Sequence, residues 1–159
     1  MATDKRTYYL LIVIAFLAGF AVNGVITPLF QHTEKQVIFT NNAPEPIGPY
    51  SQAVRSGDYV FISGQIGIDP ATGNLSAPTA AGQATQVMEN LKAILQEAGL
   101  DFSDVVQSRI YLTDLQDFTT VNGIYGQYFG SNPPARATVQ VAALPKGAKV
   151  EIEMVAHRR

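Results

Sequence analysis

The chain has 159 residues, 11 Lys and Arg against 13 Asp and Glu, a formal net charge of −2 at pH 7, two histidines and no cysteine. Lacking cysteine, it has no disulfide or thiolate chemistry. His32, just after an apolar N-terminal segment, and His157, in the terminal tail, read as solvated side chains rather than as a zinc site. The acidic balance and the absence of a basic cluster argue against a nucleic-acid surface, which normally carries an electrostatic footprint.

From Thr7 to Phe30 no residue is charged, a run of about 24 that is long enough to cross a bilayer as a helix. Lys5 and Arg6 precede it, so the positive-inside tendency leaves the N-terminus in the cytoplasm and sends the rest of the chain across. A cleaved signal peptide is the rival reading, because the most apolar part, Tyr8 to Val22, is short. No clean A-x-A site appears, and apolar character resumes with Val25, Ile26, Leu29 and Phe30, which favours an uncleaved anchor. Residues 1–30 are thus expected to be a membrane anchor or signal segment, 31–36 a polar linker, and 37–159 a single domain outside the cytoplasm. About 120 residues suffice for such a domain to bury a real core.

Val37 to Phe39 could begin a strand. The stretch from Asn41 to Pro49 is too rich in proline for a central strand or a helix. Ser51 to Arg55 and Tyr59 to Gly64 read as strands joined by a Ser56-Gly57-Asp58 turn, and Asp69 to Asn74 supplies another turn. Thr79 to Ala98 is the clearest helix: Val87, Met88, Leu91, Ile94, Leu95 and Ala98 form one stripe, with Gly99 placed for a C-terminal cap. Val105 to Leu112 returns to strand character. Asp114 is expected to cap a second helix with Leu115, Phe118, Val121, Tyr125 and Tyr128 as its apolar stripe.

Two alternating runs finish the chain. In the first, Arg136, Thr138 and Gln140 oppose Ala137, Val139 and Val141; in the second, Glu151 and Glu153 oppose Val150, Ile152 and Met154. The order ββαβαββ, with or without a leading strand, predicts an α+β layer in which both helices pack on one face of a sheet. The small and apolar residues of the other face suggest that partner subunits cover it.

Several side chains could carry chemistry, and each has a plainer reading. Arg136 is either a bidentate fork for a carboxylate or a surface arginine at a strand start. Glu151 could handle a water's proton if burial raised its pKa, or belong to an exposed acidic face with Glu153 as a solvated or structural partner. Tyr50 and Ser51 follow the Ile47-Gly48-Pro49 turn and either face a ligand or lid the core. Ser63-Gly64-Gln65 offers a hydroxyl and a close backbone approach, or is a strand end with a bulge. Asn122 reaches the same site or satisfies a local backbone group. No nucleophile elbow, P-loop or dinucleotide fingerprint occurs.

Four ordered stretches together resemble the reactive-intermediate deaminase family (RidA, also called YjgF or L-PSP-like). They are Asn42-Ala43-Pro44 with Ile47 to Ala53; Ile62 to Ile66 with Asp69 to Gly73; Asp114 to Phe118 with Val121-Asn122; and Pro134-Ala135-Arg136 through Leu144-Pro145-Lys146 to Glu153. The resemblance covers nearly the whole chain after about residue 35 and implies a chorismate-mutase-like α+β subunit. It also implies a homotrimeric barrel with active sites between neighbours. The implied activity is hydrolysis of reactive enamines and imines of the 2-aminoacrylate type to 2-oxo acids and ammonia, with no cofactor or metal and a small imine, enamine or 2-oxo acid as partner.

By position in the motifs, Arg136 would hold the substrate carboxylate and Glu151 would activate water. Tyr50 would line the pocket, with Ser63, Asn122 and Thr138 as further substrate contacts. Three features depart from the family pattern. Thr138 stands where many members carry cysteine, the loop before Arg136 is short and contains Pro133-Pro134, and the apolar N-terminus is foreign to the usual cytosolic protein. Two rival functions remain: a non-catalytic carboxylate-binding or regulatory trimer, and the endoribonuclease activity attached to the family's name, which the acidic balance disfavours.

Overall fold

A computed structural model describes residues 34–158. The anchor, its rival the signal peptide and the first half of the linker fall outside the described residues, among which no helix is long and apolar enough to cross a membrane. The elements in chain order are β1 (Gln36–Ile38), β2 (Ala53–Ser56), β3 (Tyr59–Ile66), α1 (Ala80–Glu97), β4 (Val105–Leu112), α2 (Phe118–Gly126), β5 (Ala135–Gln140) and β6 (Val150–His157). This is the expected α+β order with the leading strand present.

The helix α1 forms where the periodicity put it. Thr79 accepts a hydrogen bond from the Gly82 N–H at 3.2 Å and closes the N-terminus. At the other end Gly99 takes φ +72°, a left-handed conformation that costs other residues a Cβ clash, and the Leu100 N–H donates back to Leu95 O at 2.9 Å. Val87, Met88, Leu91, Ile94 and Leu95 are fully buried against the sheet.

The second helix is shorter than expected. Asp114 does cap, accepting from the Gln116 N–H at 2.9 Å, but it caps a single 3-10 turn, Leu115–Asp117, that precedes α2. Leu115 and Phe118 are exposed, Val121 and Tyr125 are buried, and Tyr128 lies beyond the helix. A nine-residue helix over the sheet margin has only two turns' worth of face to bury. Tyr128 instead packs edge-on to Phe102 and donates its hydroxyl to Glu89 at 2.9 Å, tying the helix end to α1.

The strands form one six-stranded sheet ordered β1-β2-β3-β6-β4-β5, antiparallel except between β4 and β5. The crossover through α2 makes that pair parallel. Strands β5 and β6, consecutive in sequence, are therefore separated by β4. The row Ile152–Ile110–Thr138 faces the helices, as does the row Met154–Ser108–Arg136. The rows Glu153–Arg109–Ala137 and Glu151–Tyr111–Val139 face the other way.

Alternation in β6 has the expected outcome: Val150, Ile152 and Met154 are buried and the glutamates half-buried. In β5 it is inverted. The apolar Val139 is 46 % exposed on the helix-free face, while the polar Thr138 lies on the helix face. Val37, Val54, Phe61 and Val155 form a cross-strand apolar row on that same open face, with Val37 and Phe61 at least half exposed. Val139 thus lies outside the core of this subunit, on the same face as that row but separated from it by the Arg109–Glu153 pair.

Buried amides pin the loops. Gln52 donates to Thr40 O, Ala43 O and Pro44 O and accepts from the Thr40 N–H, all within 3.2 Å. Removing it in Gln52→Ala strands these carbonyls in a buried site, and a loss of about 3 kcal/mol is expected. Urea unfolding measures it; a change within error would show that the 40–50 loop is held by other means.

Candidate functional site

Two clefts carry the residues singled out by the sequence, and they lie on opposite faces of the sheet.

The first surrounds Arg136, at the start of β5. Its Nη2 donates to Asn122 Oδ1 at 2.7 Å, and its guanidinium carbon lies 4.8 Å from the centre of the Tyr125 ring. Asn122 and Tyr125 sit three apart on α2 and so share a helix face. The cleft, about 480 Å³, is lined also by Phe129, Pro133 and Pro134. Arg136 is exposed and forms no ion pair with any described residue, so most of its fork faces the cleft. Thr138 points inward: its hydroxyl oxygen is buried without a hydrogen-bond partner among the described residues. The register sets residue 138 beside Ile110 under α2, where it shares a small cavity with Asn122 and Arg136.

The second cleft, about 370 Å³, surrounds Glu151 and includes Ile47, Tyr50, Ser63, Gly64 and Pro145. A bulge in β3 between Ile62 and Gln65 builds it. Ile62 pairs with Met154 and Gln65 with Ile152, so the extra residue turns both Ser63 and Gly64 to the Glu151 side. The bulge expected at Ser63-Gly64-Gln65 is present, within β3 rather than closing it. A Cβ on Gly64 would lie 1.9 Å from Glu151 Oε1 and 2.8 Å from its Cδ.

The carboxyl of Glu151 is half-buried and has no hydrogen bond from a described residue. Burial first, and the neighbouring Glu153 charge second, push its pKa above the usual carboxylate value. Glu153 is differently placed, since its Oε1 accepts from Arg109 Nη1 at 2.5 Å. One carboxylate of the pair is engaged, the other poised.

Tyr50 is 46 % exposed and lines this cleft. Its oxygen accepts from the Ile47 N–H at 3.2 Å, which leaves its proton available for donation. Ser63 donates to Ser51 O at 2.7 Å and thereby ties β3 to the loop that carries Tyr50. Its hydroxyl proton is spent on that tie.

Sequence reasoning passed over the buried amides on α1 that hold the segments after β3 and before β6. Gln83 accepts from the Lys149 N–H at 2.7 Å at the entrance to β6, and Asn90 donates to Ile68 O at 2.9 Å. Both fall on the phase of Val87 and Leu91, and a polar residue inside an apolar stripe was the signal that could have found them. Among the described residues no cluster of three His, Asp or Glu could hold a metal ion.

Gly64→Ala should displace the Glu151 carboxylate while leaving Arg136 untouched, since the two occupy different faces. Roughly a hundredfold loss of turnover with little change in KM is expected, read by steady-state kinetics. Wild-type turnover would mean that the seat beside residue 64 is irrelevant.

The chain is similar to known proteins. A family model described as Endoribonuclease L-PSP matches residues 40–158. The human 2-iminobutanoate/2-iminopropanoate deaminase is 54% identical over 122 residues, 77% of this chain and 89% of that one. A crystal structure of RidA from an Antarctic Psychrobacter superposes with a TM-score of 0.75 at 49% identity, covering 77% of this chain and 98% of the other. A crystal structure of E. coli TdcF with bound serine gives 0.75 at 45% identity, over 78% and 99%.

Proposed function

The chain belongs to the L-PSP endoribonuclease family, the RidA/YjgF family of the sequence resemblance, and from that premise we propose that it hydrolyses short 2-imino acids and their enamine tautomers to 2-oxo acids and ammonia. The observation that carries the reading is a poised carboxylate, Glu151, held half-buried beside Tyr50 in a chain half identical to a named imine deaminase.

The chemistry asks little of the protein. An imine carbon is already electrophilic, so catalysis consists of placing it beside water and managing protons. Arg136 grips the substrate carboxylate through its fork. Glu151 takes a proton from water as the oxygen adds to the imine carbon and passes it to the nitrogen. The resulting carbinolamine collapses to the 2-oxo acid, expelling ammonia. A carboxylate with a raised pKa is a better base for this than an ordinary one.

Arg136 and Glu151 belong to opposite sheet faces of one copy, so a site that uses both needs two copies. We therefore read the working enzyme as an oligomer, the trimer implied by the family resemblance. The uncovered apolar row of Val37, Val54, Phe61 and Val155 supports this reading. The N-terminal apolar run adds the proposal that the domain is tethered to a membrane on its non-cytoplasmic side. The intact mass of protein from a membrane fraction tests the tether, since loss of the first residues would indicate a signal peptide.

The direct assay generates 2-iminobutanoate in situ and follows ammonia and 2-oxobutanoate. The wild-type protein should accelerate release well beyond the spontaneous rate; no acceleration sinks the assignment. A second reading, a carboxylate-metabolite binder without turnover, draws on the serine bound to TdcF. It predicts 2-oxobutanoate binding without acceleration.

A further inference from the structure

Arg136 stands at the start of an edge strand on a long side chain, yet its fork has a defined direction. Asn122 holds one nitrogen at 2.7 Å, and the flat face of Tyr125 lies 4.8 Å beneath the guanidinium carbon. That ring is itself fixed. Tyr125 is 4 % exposed, its hydroxyl sits 2.7 Å from the buried Ser108 Oγ, and its ring packs on Phe129 with centroids 4.5 Å apart. Ser108 is also the β4 residue paired with Arg136 in the parallel ladder. The strand that sets where the arginine begins therefore also anchors the ring that sets where it ends.

We propose that Tyr125 is a positioning residue for substrate-carboxylate recognition, an aromatic platform that pre-orients the Arg136 fork, with Ser108 as the tether that stops the platform turning. The inference rests on the reading of Arg136 as the carboxylate-holding group. A cation lying over an aromatic face is attracted by the ring quadrupole, and the attraction strengthens as water is excluded. A fork already aimed loses less freedom when it closes on a carboxylate, so the platform acts on substrate affinity rather than on the bond-making step. In the sequence Tyr125 reads only as one apolar position of a helical stripe; its partners at positions 108 and 136 are far away along the chain.

The test uses the full-length protein and four forms: Tyr125→Leu, Tyr125→Phe, Arg136→Ala and the double variant of leucine with Arg136→Ala. Tyr125→Leu should raise KM for 2-iminobutanoate, and weaken 2-oxobutanoate binding, about tenfold with kcat unchanged. Tyr125→Phe keeps the face but loses the tether to Ser108, and should raise KM by less than Tyr125→Leu does. In the Arg136→Ala background the leucine change should add nothing, because no fork remains to aim. General damage to the fold would instead lower kcat and persist in the double variant, and either result overturns the proposal. So does an unchanged KM in Tyr125→Leu when Arg136→Ala has lost binding. Normal binding by Arg136→Ala removes the parent reading, and this one with it. Should the leucine variant fail to show a thermal transition, Tyr125→Met keeps the bulk without the π face and carries the same expectations.

Discussion

Arg136→Ala is expected to lower kcat/KM for 2-iminobutanoate by about 10²–10⁴-fold while leaving the fold intact. A charge-assisted hydrogen bond contributes about 1.5–3 kcal/mol, and a bidentate carboxylate takes two. Against that stands a small structural cost. Arg136 is exposed, forms no ion pair among the described residues, and loses one hydrogen bond to Asn122 and one ring contact. The thermal transition should therefore move little. Arg136→Lys should recover almost none of the activity, because an ammonium offers a point charge and cannot present two parallel donors or lie flat over Tyr125. Steady-state kinetics and calorimetric 2-oxobutanoate binding check both variants. Turnover at the wild-type level in Arg136→Ala would remove the proposed site.

Glu151→Gln should separate activity from stability in opposite directions. Turnover is expected to fall by about 10²–10⁴-fold, the usual contribution of a positioned general base. Affinity for 2-oxobutanoate should hold, because the proposed carboxylate grip lies with Arg136. Stability should rise at neutral pH. The folded pKa of Glu151 is raised, by burial first and Glu153 second, so the native protein binds this proton more tightly than the unfolded chain does. Its contribution to stability is fully present below the unfolded carboxylate pKa and is lost as pH rises through the raised folded value. Glutamine mimics the neutral form at every pH and avoids that loss.

Urea unfolding of the two proteins across this range should show curves that converge at acid pH and separate toward neutrality, with the variant more stable. The wild-type rate should rise with pH over the same window, as Glu151 ionises. An active Glu151→Gln variant would move the base elsewhere. On the proposed mechanism function is held at a cost in stability, as expected when a carboxylate is kept dry enough to be basic.

Local pattern determined the elements. Three-and-four spacing from Val87 to Ala98 can be satisfied only by a helix with one buried stripe, and period-two alternation in 150–154 only by a half-covered strand. Turn and cap chemistry at Gly99 and Asp114 is likewise short-range, which is why both were legible; the length of α2 was not, because its end depends on how much sheet lies beneath it. The candidate residues Arg136, Glu151 and Tyr50 were visible because their chemistry is carried by residue type and by neighbours in the same motif.

Face and partnership are different in kind. Which side of the sheet Arg136 occupies depends on the insertion of β4 between β5 and β6, a choice made by the parallel crossover through α2 and invisible to alternation within either strand. The same register turns the Thr138 hydroxyl into the protein and Val139 out of it, the reverse of what polarity suggests. Gly64 seats Glu151, Tyr125 carries Arg136, and Gln83 and Asn90 hold the loops through contacts between different elements of the chain. Sequence determines what each short segment does with its own backbone, whereas the energy of a seat, a platform or a covered face is stored between segments and exists only once the chain has closed on itself.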